Sequence, residues 1–129
     1  MGSSENGQSD SSNAWWFPKK KTVSMINDVG PELDLTVHCK SKDDDLGTHV
    51  IPYKSFYSFR FKPNMMDTTL FFCSMTWKGS KLNYFDIYRE ERDKDKCSVH
   101  CSWNIRATGP CMWNPDKQFY NDCFPWNKP

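Results

Sequence analysis

Six cysteines and three histidines carry the reactive side chains of this 129-residue chain, and their spacing decides which chemistry is open to it. The thiols are Cys39, Cys73, Cys97, Cys101, Cys111 and Cys123; the imidazoles are His38, His49 and His100. A metal site would draw on Cys97, His100 and Cys101, with His38 and Cys39 joining from elsewhere in the chain. No C-x-x-C pair occurs, however, and the spacing fits no zinc motif. An even cysteine count in a small chain of modest hydrophobicity reads instead as a disulfide framework formed in an oxidising compartment. Such bridges stabilise by roughly 2–4 kcal/mol each, chiefly by restricting the unfolded chain. Six cysteines allow many pairings, and spacing does not choose among them. The working expectation is Cys39–Cys101, Cys73–Cys97 and Cys111–Cys123, the last closing a terminal hairpin. A simple four-residue turn would set Cys111 opposite Tyr120, so that bridge requires a bulge.

Catalysis finds little support in these residues. General acid–base work needs two titratable groups brought together, and the histidine motifs of secreted ribonucleases are absent. His38 falls on the outward phase of a strand-like segment with Asp34 four residues earlier, so a surface hydrogen bond accounts for it. No phosphate-cradling glycine loop, nucleophile elbow or H-E-x-x-H helix is present. The reading is a protein that is not an enzyme, with no cofactor and no resident metal.

Two charged stretches remain. Asp43, Asp44 and Asp45 place three carboxylates in succession. Calcium takes several oxygen ligands, but the order fits no EF-hand, and a solvated loop explains it as well. The second stretch, Arg89, Glu90, Glu91, Arg92, Asp93, Lys94, Asp95 and Lys96, is eight charged residues with four of each sign. A run of this kind is expected to project wholly into water and to tolerate exchange for a Gly/Ser loop. It is also the natural candidate for a recognition loop on a rigid scaffold.

The elements that must position these residues are strands. Residues 33–40 alternate, with Leu33, Leu35, Val37 and Cys39 on one face. Residues 22–28, 56–62, 69–77, 82–88 and 99–106 follow the same period of two. Tyr57, Phe59 and Phe61 are predicted inward, as are Phe71, Cys73, Met75 and Trp77. Val99, Cys101, Trp103 and Ile105 complete the inward set. A short edge strand at 49–51 stops at Pro52, and a final hairpin joins 111–113 to 118–124. Single helical turns are expected near 41–46 or 89–96. About eight short strands at this spacing predict an all-β, two-sheet antiparallel sandwich stapled by disulfides. Residues 1–14 read as a disordered leader, partly expression-derived, and 15–129 as a single domain. The aromatic–basic run from Trp15 and Trp16 to Lys21 is expected to pack on the domain edge. Seventeen Lys plus Arg against sixteen Asp plus Glu give no cationic excess for nucleic acid or an anionic membrane. No apolar run reaches the length of a membrane span.

At this point the segments LTVHCKSKDDDLG at 35–47, TTLFFC at 68–73 and FDIY at 85–88, followed by Cys97, Cys101 and Trp103, resemble the plant self-incompatibility S1 family. The resemblance runs from about Val23 to Trp126. It implies a small secreted, extracellular β-sandwich with disulfides, related to the poppy pistil S protein, a ligand recognised at a cell surface. Cys39, Cys73, Cys97 and Cys101 fall at the family's usual cysteines, while Cys111 and Cys123 look additional. Hydrophilic surface loops carry recognition in the family, which points to residues 89–96, with Asp43, Asp44 and Asp45 as a second loop. The implied partner is a plant cell-surface receptor protein met by a monomer. The alternative is a secreted carbohydrate-binding or defence-related module using Trp15, Trp16 or Trp113.

Overall fold

The computed structural model of the chain describes residues 19–66 and 68–128. The leader and the Trp15–Trp16 pair lie outside them. Nine strands and one helical turn follow in order: β1 Lys21–Asp28, β2 Leu35–Lys40, β3 Asp45–Ile51, β4 Phe56–Phe61, β5 Leu70–Thr76, β6 Asn83–Arg89, α1 Glu90–Asp93, β7 His100–Arg106, β8 Gly109–Asn114 and β9 Phe119–Cys123. They form a five-stranded sheet, β9-β8-β7-β1-β4, and a four-stranded sheet, β3-β2-β5-β6.

The period of two in the sequence becomes the two faces of each strand. Leu35, Val37 and Cys39 of β2 are buried while Thr36, His38 and Lys40 turn outward. Val23 and Met25 of β1, Cys73 and Met75 of β5, and Cys101, Trp103 and Ile105 of β7 fill the space between the sheets. Each fully buried side chain of this size contributes about 1.5–3 kcal/mol. Rings from opposite sheets meet there: Phe85 with Trp103 at 5.2 Å, Phe59 with Phe71 at 5.0 Å, and Phe61 with Tyr88 at 4.8 Å. Val99 departs from the expectation and is exposed, because it lies one residue before β7 begins.

The pairing is antiparallel except at the centre of the larger sheet, where β1 runs parallel to β7 from Thr22↔His100 to Asp28↔Arg106. The edge strand expected at 49–51 begins earlier, at Asp45, and pairs with β2 through a register shift near Lys40. No helical turn forms at 41–46: residues 41–44 are a loop, and Asp45 and Leu46 belong to β3. The turn considered for 89–96 forms at α1.

All six cysteines are bridged, but the expected pairing needs correction. The bridges are Cys39–Cys73, Cys97–Cys101 and Cys111–Cys123; Cys39–Cys101 and Cys73–Cys97 do not form. Cys39 and Cys73 stand directly opposite each other on adjacent antiparallel strands, so the bridge staples one sheet internally rather than crossing the core. Cys111 and Cys123 also face each other, brought into register by a shift between Tyr120 and Asp122.

A C-terminal tail closes one open side. Phe124 N–H donates to the Pro110 carbonyl, Trp126 Nε1 to the Ala107 carbonyl and Asn127 N–H to the Tyr84 carbonyl. The tail thus runs from β8 to the free edge of β6, and the Phe124 ring packs against Phe85 and Trp103.

Candidate recognition surface

Strand direction sorts the loops between the two ends of the sandwich. Lys40, Phe61, Arg89 and Asn114 end their strands at the same end where Asp45, Leu70, His100 and Phe119 begin theirs. Loop 41–44, the described residues of the β4–β5 connection, the segment 90–99 and the turn 115–118 therefore cluster together. The opposite end is tied down. Asn27 is fully buried there, its amide donating to the carbonyls of Leu33 at 2.7 Å and Ile51 at 2.8 Å, while its oxygen accepts from Val29 N–H.

The eight-residue charged run is not wholly solvated, which corrects the expectation for it. Asp93 is completely buried and Glu90 nearly so. The Asp93 carboxylate accepts from Arg89 N–H and, on both oxygens, from the Arg92 guanidinium at 2.6 and 2.7 Å. Arg92 lies about 5 Å from the centres of the Phe85, Trp103 and Phe124 rings and also donates to the Asp86 carbonyl. A guanidinium stacked on aromatic faces and forked onto a carboxylate can leave water without losing its partners. Tyr88 OH donates to Glu90 Oε1 at 2.6 Å, and the Cys97–Cys101 bridge pins the far end of the segment to β7. Arg89, Glu91, Lys94, Asp95 and Lys96 stay exposed. Arg89 is hydrogen-bonded to Asp86, which raises its guanidinium further above the ordinary value. The segment is thus a rigid mount with five charged side chains on its outer surface, and a Gly/Ser exchange would remove the mount along with the charges.

The aspartate loop lies at the same end. Asp43 and Asp44 are exposed, whereas Asp45 belongs to β3. Its carboxylate accepts from Gly47 N–H at 2.9 Å and bonds His38 Nε2 at 2.6 Å. Asp45, not Asp34, is therefore the partner of His38. The Gly47 N–H first, and His38 second, hold the Asp45 carboxyl below the usual carboxylate range. Among the described residues no group of three or more His, Cys, Asp or Glu is placed to hold a metal ion.

A groove of about 750 Å³ separates this loop from the β4–β5 connection, lined in part by Lys42, Asp43, Asp44, Arg60, Asn64 and Phe72. Beside it Met65 and Met66 are exposed, at 67% and 79%. No period or motif in the sequence marks this pair; the available signal is two adjacent methionines outside any strand, the kind of adaptable apolar side chain that contact surfaces use. A smaller groove of about 360 Å³ runs between Lys96 and the β8–β9 turn, with Trp113 on its wall. Trp113 is half-exposed and set edge-on to Tyr120 at 4.9 Å.

The histidines do not converge. His38 bonds Asp45 on the outside of the smaller sheet, His49 stacks on Tyr57 at 4.0 Å, and His100 bonds Ser24 Oγ at 2.8 Å on the larger sheet. Among the described residues no helix is long and apolar enough to cross a membrane.

Comparison with known proteins agrees with this architecture. The family model of plant self-incompatibility protein S1 matches residues 22–126. S-protein homolog 2 of Arabidopsis thaliana is 42% identical over 122 residues, spanning 92% of this chain and 75% of that protein. S-protein homolog 5 of the same plant is 46% identical over 110 residues, spanning 85% of this chain and 80% of that one. A solved structure of SPH (self-incompatibility protein homologue) proteins, described as small, highly stable, secreted proteins from plants, superposes with a TM-score of 0.58. It covers 86% of this chain and 97% of its own at 18% identity, a likeness of fold.

Proposed function

We propose, from the premise that the chain belongs to the plant self-incompatibility S1 family, that it is a secreted, non-catalytic signalling ligand read by a plant cell-surface receptor. Three disulfides in a small β protein suit an oxidising, extracellular setting, in keeping with the secretion ascribed to the related SPH proteins. The observation that carries the reading is the mounting of the 89–96 segment. Buried Asp93 and Glu90 fix the backbone while Arg89, Glu91, Lys94, Asp95 and Lys96 face outward. A surface fixed before contact loses less entropy on binding, so its charges discriminate between partners at lower cost. The grooves and exposed methionines at the same end add apolar contact area to that charged rim.

The test is saturable binding of labelled, fully oxidised protein to intact plant cells. Binding should be displaced by unlabelled protein and lost when surface proteins are trimmed by protease. Binding that survives trimming, or that never saturates, would remove the receptor from the account.

A further inference from the structure

The loops occupy one end of the molecule, but the outer face of the five-stranded sheet carries a separate polar strip. Ser58 of β4 and Ser24 of β1 stand in register, and Ser24 is paired in turn with Ser102 of β7. Their hydroxyls make two neighbouring sets of hydrogen bonds. Ser24 Oγ lies 2.6 Å from Ser58 Oγ and 2.8 Å from His100 Nε2, and Ser102 Oγ lies 2.7 Å from Tyr120 OH. Neighbouring strands lie about 4.8 Å apart, so the strip from β4 to β9 is roughly 19 Å long. Ser24 itself is buried, and it holds Ser58 in place; exposed Ser58 and half-buried Ser102 and Tyr120 keep spare donor and acceptor capacity in fixed directions. Trp113, half-exposed beside Tyr120, offers an apolar ring at one end.

The charge on this face is one-sided. The five strands carry two carboxylates, Asp28 and Asp122, each paired with a lysine at 2.8 Å, Lys54 and Lys96 respectively. Arg60 and Arg106 have no carboxylate partner among the described residues. Arg106 donates to Asn104 Oδ1, Cys123 Sγ and the Tyr120 carbonyl, which fix the guanidinium and leave one N–H on each terminal nitrogen, and Arg60 is exposed at the strip's other end. Guanidinium groups match carboxylates by two parallel hydrogen bonds.

We infer that this face binds an acidic oligosaccharide, a chain of uronic acid residues. Its carboxylates would meet Arg60 and Arg106, its hydroxyls the serine–histidine–tyrosine strip, and the apolar side of one ring Trp113. The inference goes beyond the receptor reading; Arg60 and Trp113 also line the two grooves at the loop-bearing end, so the titration uses free oligosaccharide without cells, and its outcome is read apart from receptor binding.

Size-defined oligogalacturonate, titrated against the oxidised protein at fixed ionic strength, tests this. Saturable binding is expected, weakened about tenfold or more by Trp113→Ala and by Arg60→Gln, with melting temperature and disulfides unchanged in Arg60→Gln. The inference is overturned if wild type does not bind, or if both variants bind as wild type does. It also fails if a neutral oligosaccharide of equal length binds as tightly, because the guanidiniums would then be idle. Equal binding to polyglutamate would reduce the effect to bare charge attraction and overturn it as well.

Discussion

Asp93 shows how one side chain can make a charged sequence foldable. It has no exposed surface, yet it accepts hydrogen bonds from Arg89 N–H and from both faces of the Arg92 fork. Removing one partner of such a pair leaves a charge without compensation, at a cost of about 3–5 kcal/mol. Asp93→Ala should therefore lower the urea midpoint by that equivalent, whereas Asp95→Ala, two residues along and exposed, should stay within about 0.5 kcal/mol of wild type. Equal effects from the two would mean that the segment is uniformly solvated. Asp45 acts through pH instead. Its carboxyl is held low by Gly47 N–H and His38. A group with a depressed folded pKa stabilises above its unfolded pKa of about 4, and the contribution is lost as pH falls through the folded value. Melting curves of Asp45→Asn should fall slightly below wild type at neutral pH and converge on it as pH falls below the ordinary carboxylate range. The gap should be small, since the Asp45 carboxyl is exposed to solvent. A gap that widened in acid would reverse the sign and remove this role.

At the scale of elements, the tail and the bridges set the order of losses. Gly109 has φ of +141°, and a Cβ there would overlap the Phe124 carbonyl oxygen. Gly109→Ala should lift the tail from β8, destabilise the fold by about 1–3 kcal/mol, and speed amide exchange at Asn127, whose N–H bonds Tyr84. Unchanged exchange at Asn127 would show that the tail does not depend on this close approach. The bridges close chains separated by 34, 12 and 4 residues. If they act by restricting the unfolded chain, losing Cys39–Cys73 should cost most and losing Cys97–Cys101 least, as denaturation of paired Cys→Ala variants would show. The strands were legible in the sequence because alternation is a local property. The inward phases of β2, β4 and β5 follow directly from Leu35, Phe59 and Cys73 and their neighbours two residues away. The bridge pairing was not legible, because it depends on which strands become neighbours. Cys39 and Cys101 share an inward phase but lie in different sheets. The parallel contact of β1 with β7 and the path of Phe124–Trp126 are likewise set by tertiary packing. The burial of Asp93 was hidden for a related reason: its partners Arg89 and Arg92 lie within four residues of it, but the rings that shelter Arg92 come from β6, β7 and the tail.

For the molecule as a whole, the two ends of the sandwich differ in kind. One is closed by Asn27 and its carbonyl partners, and the other gathers mounted charges, two grooves and exposed methionines. The second end combines a rigid mount with exposed charges and apolar side chains. The charged segment and the aspartate loop were visible in the sequence as separate runs. Their meeting at one end follows from strand direction, which residue types alone do not set. The decisive measurement is cell-surface binding by two charge-reversed proteins of unchanged stability. Glu91→Lys with Asp95→Lys alters the loop-bearing end; Lys78→Glu with Lys81→Glu alters the opposite end, where both lysines are exposed. The first pair should weaken saturable binding to plant cells by about tenfold or more, while the second should leave it intact. Equal loss in both, or loss confined to the second, would contradict the assignment of recognition to the loop-bearing end.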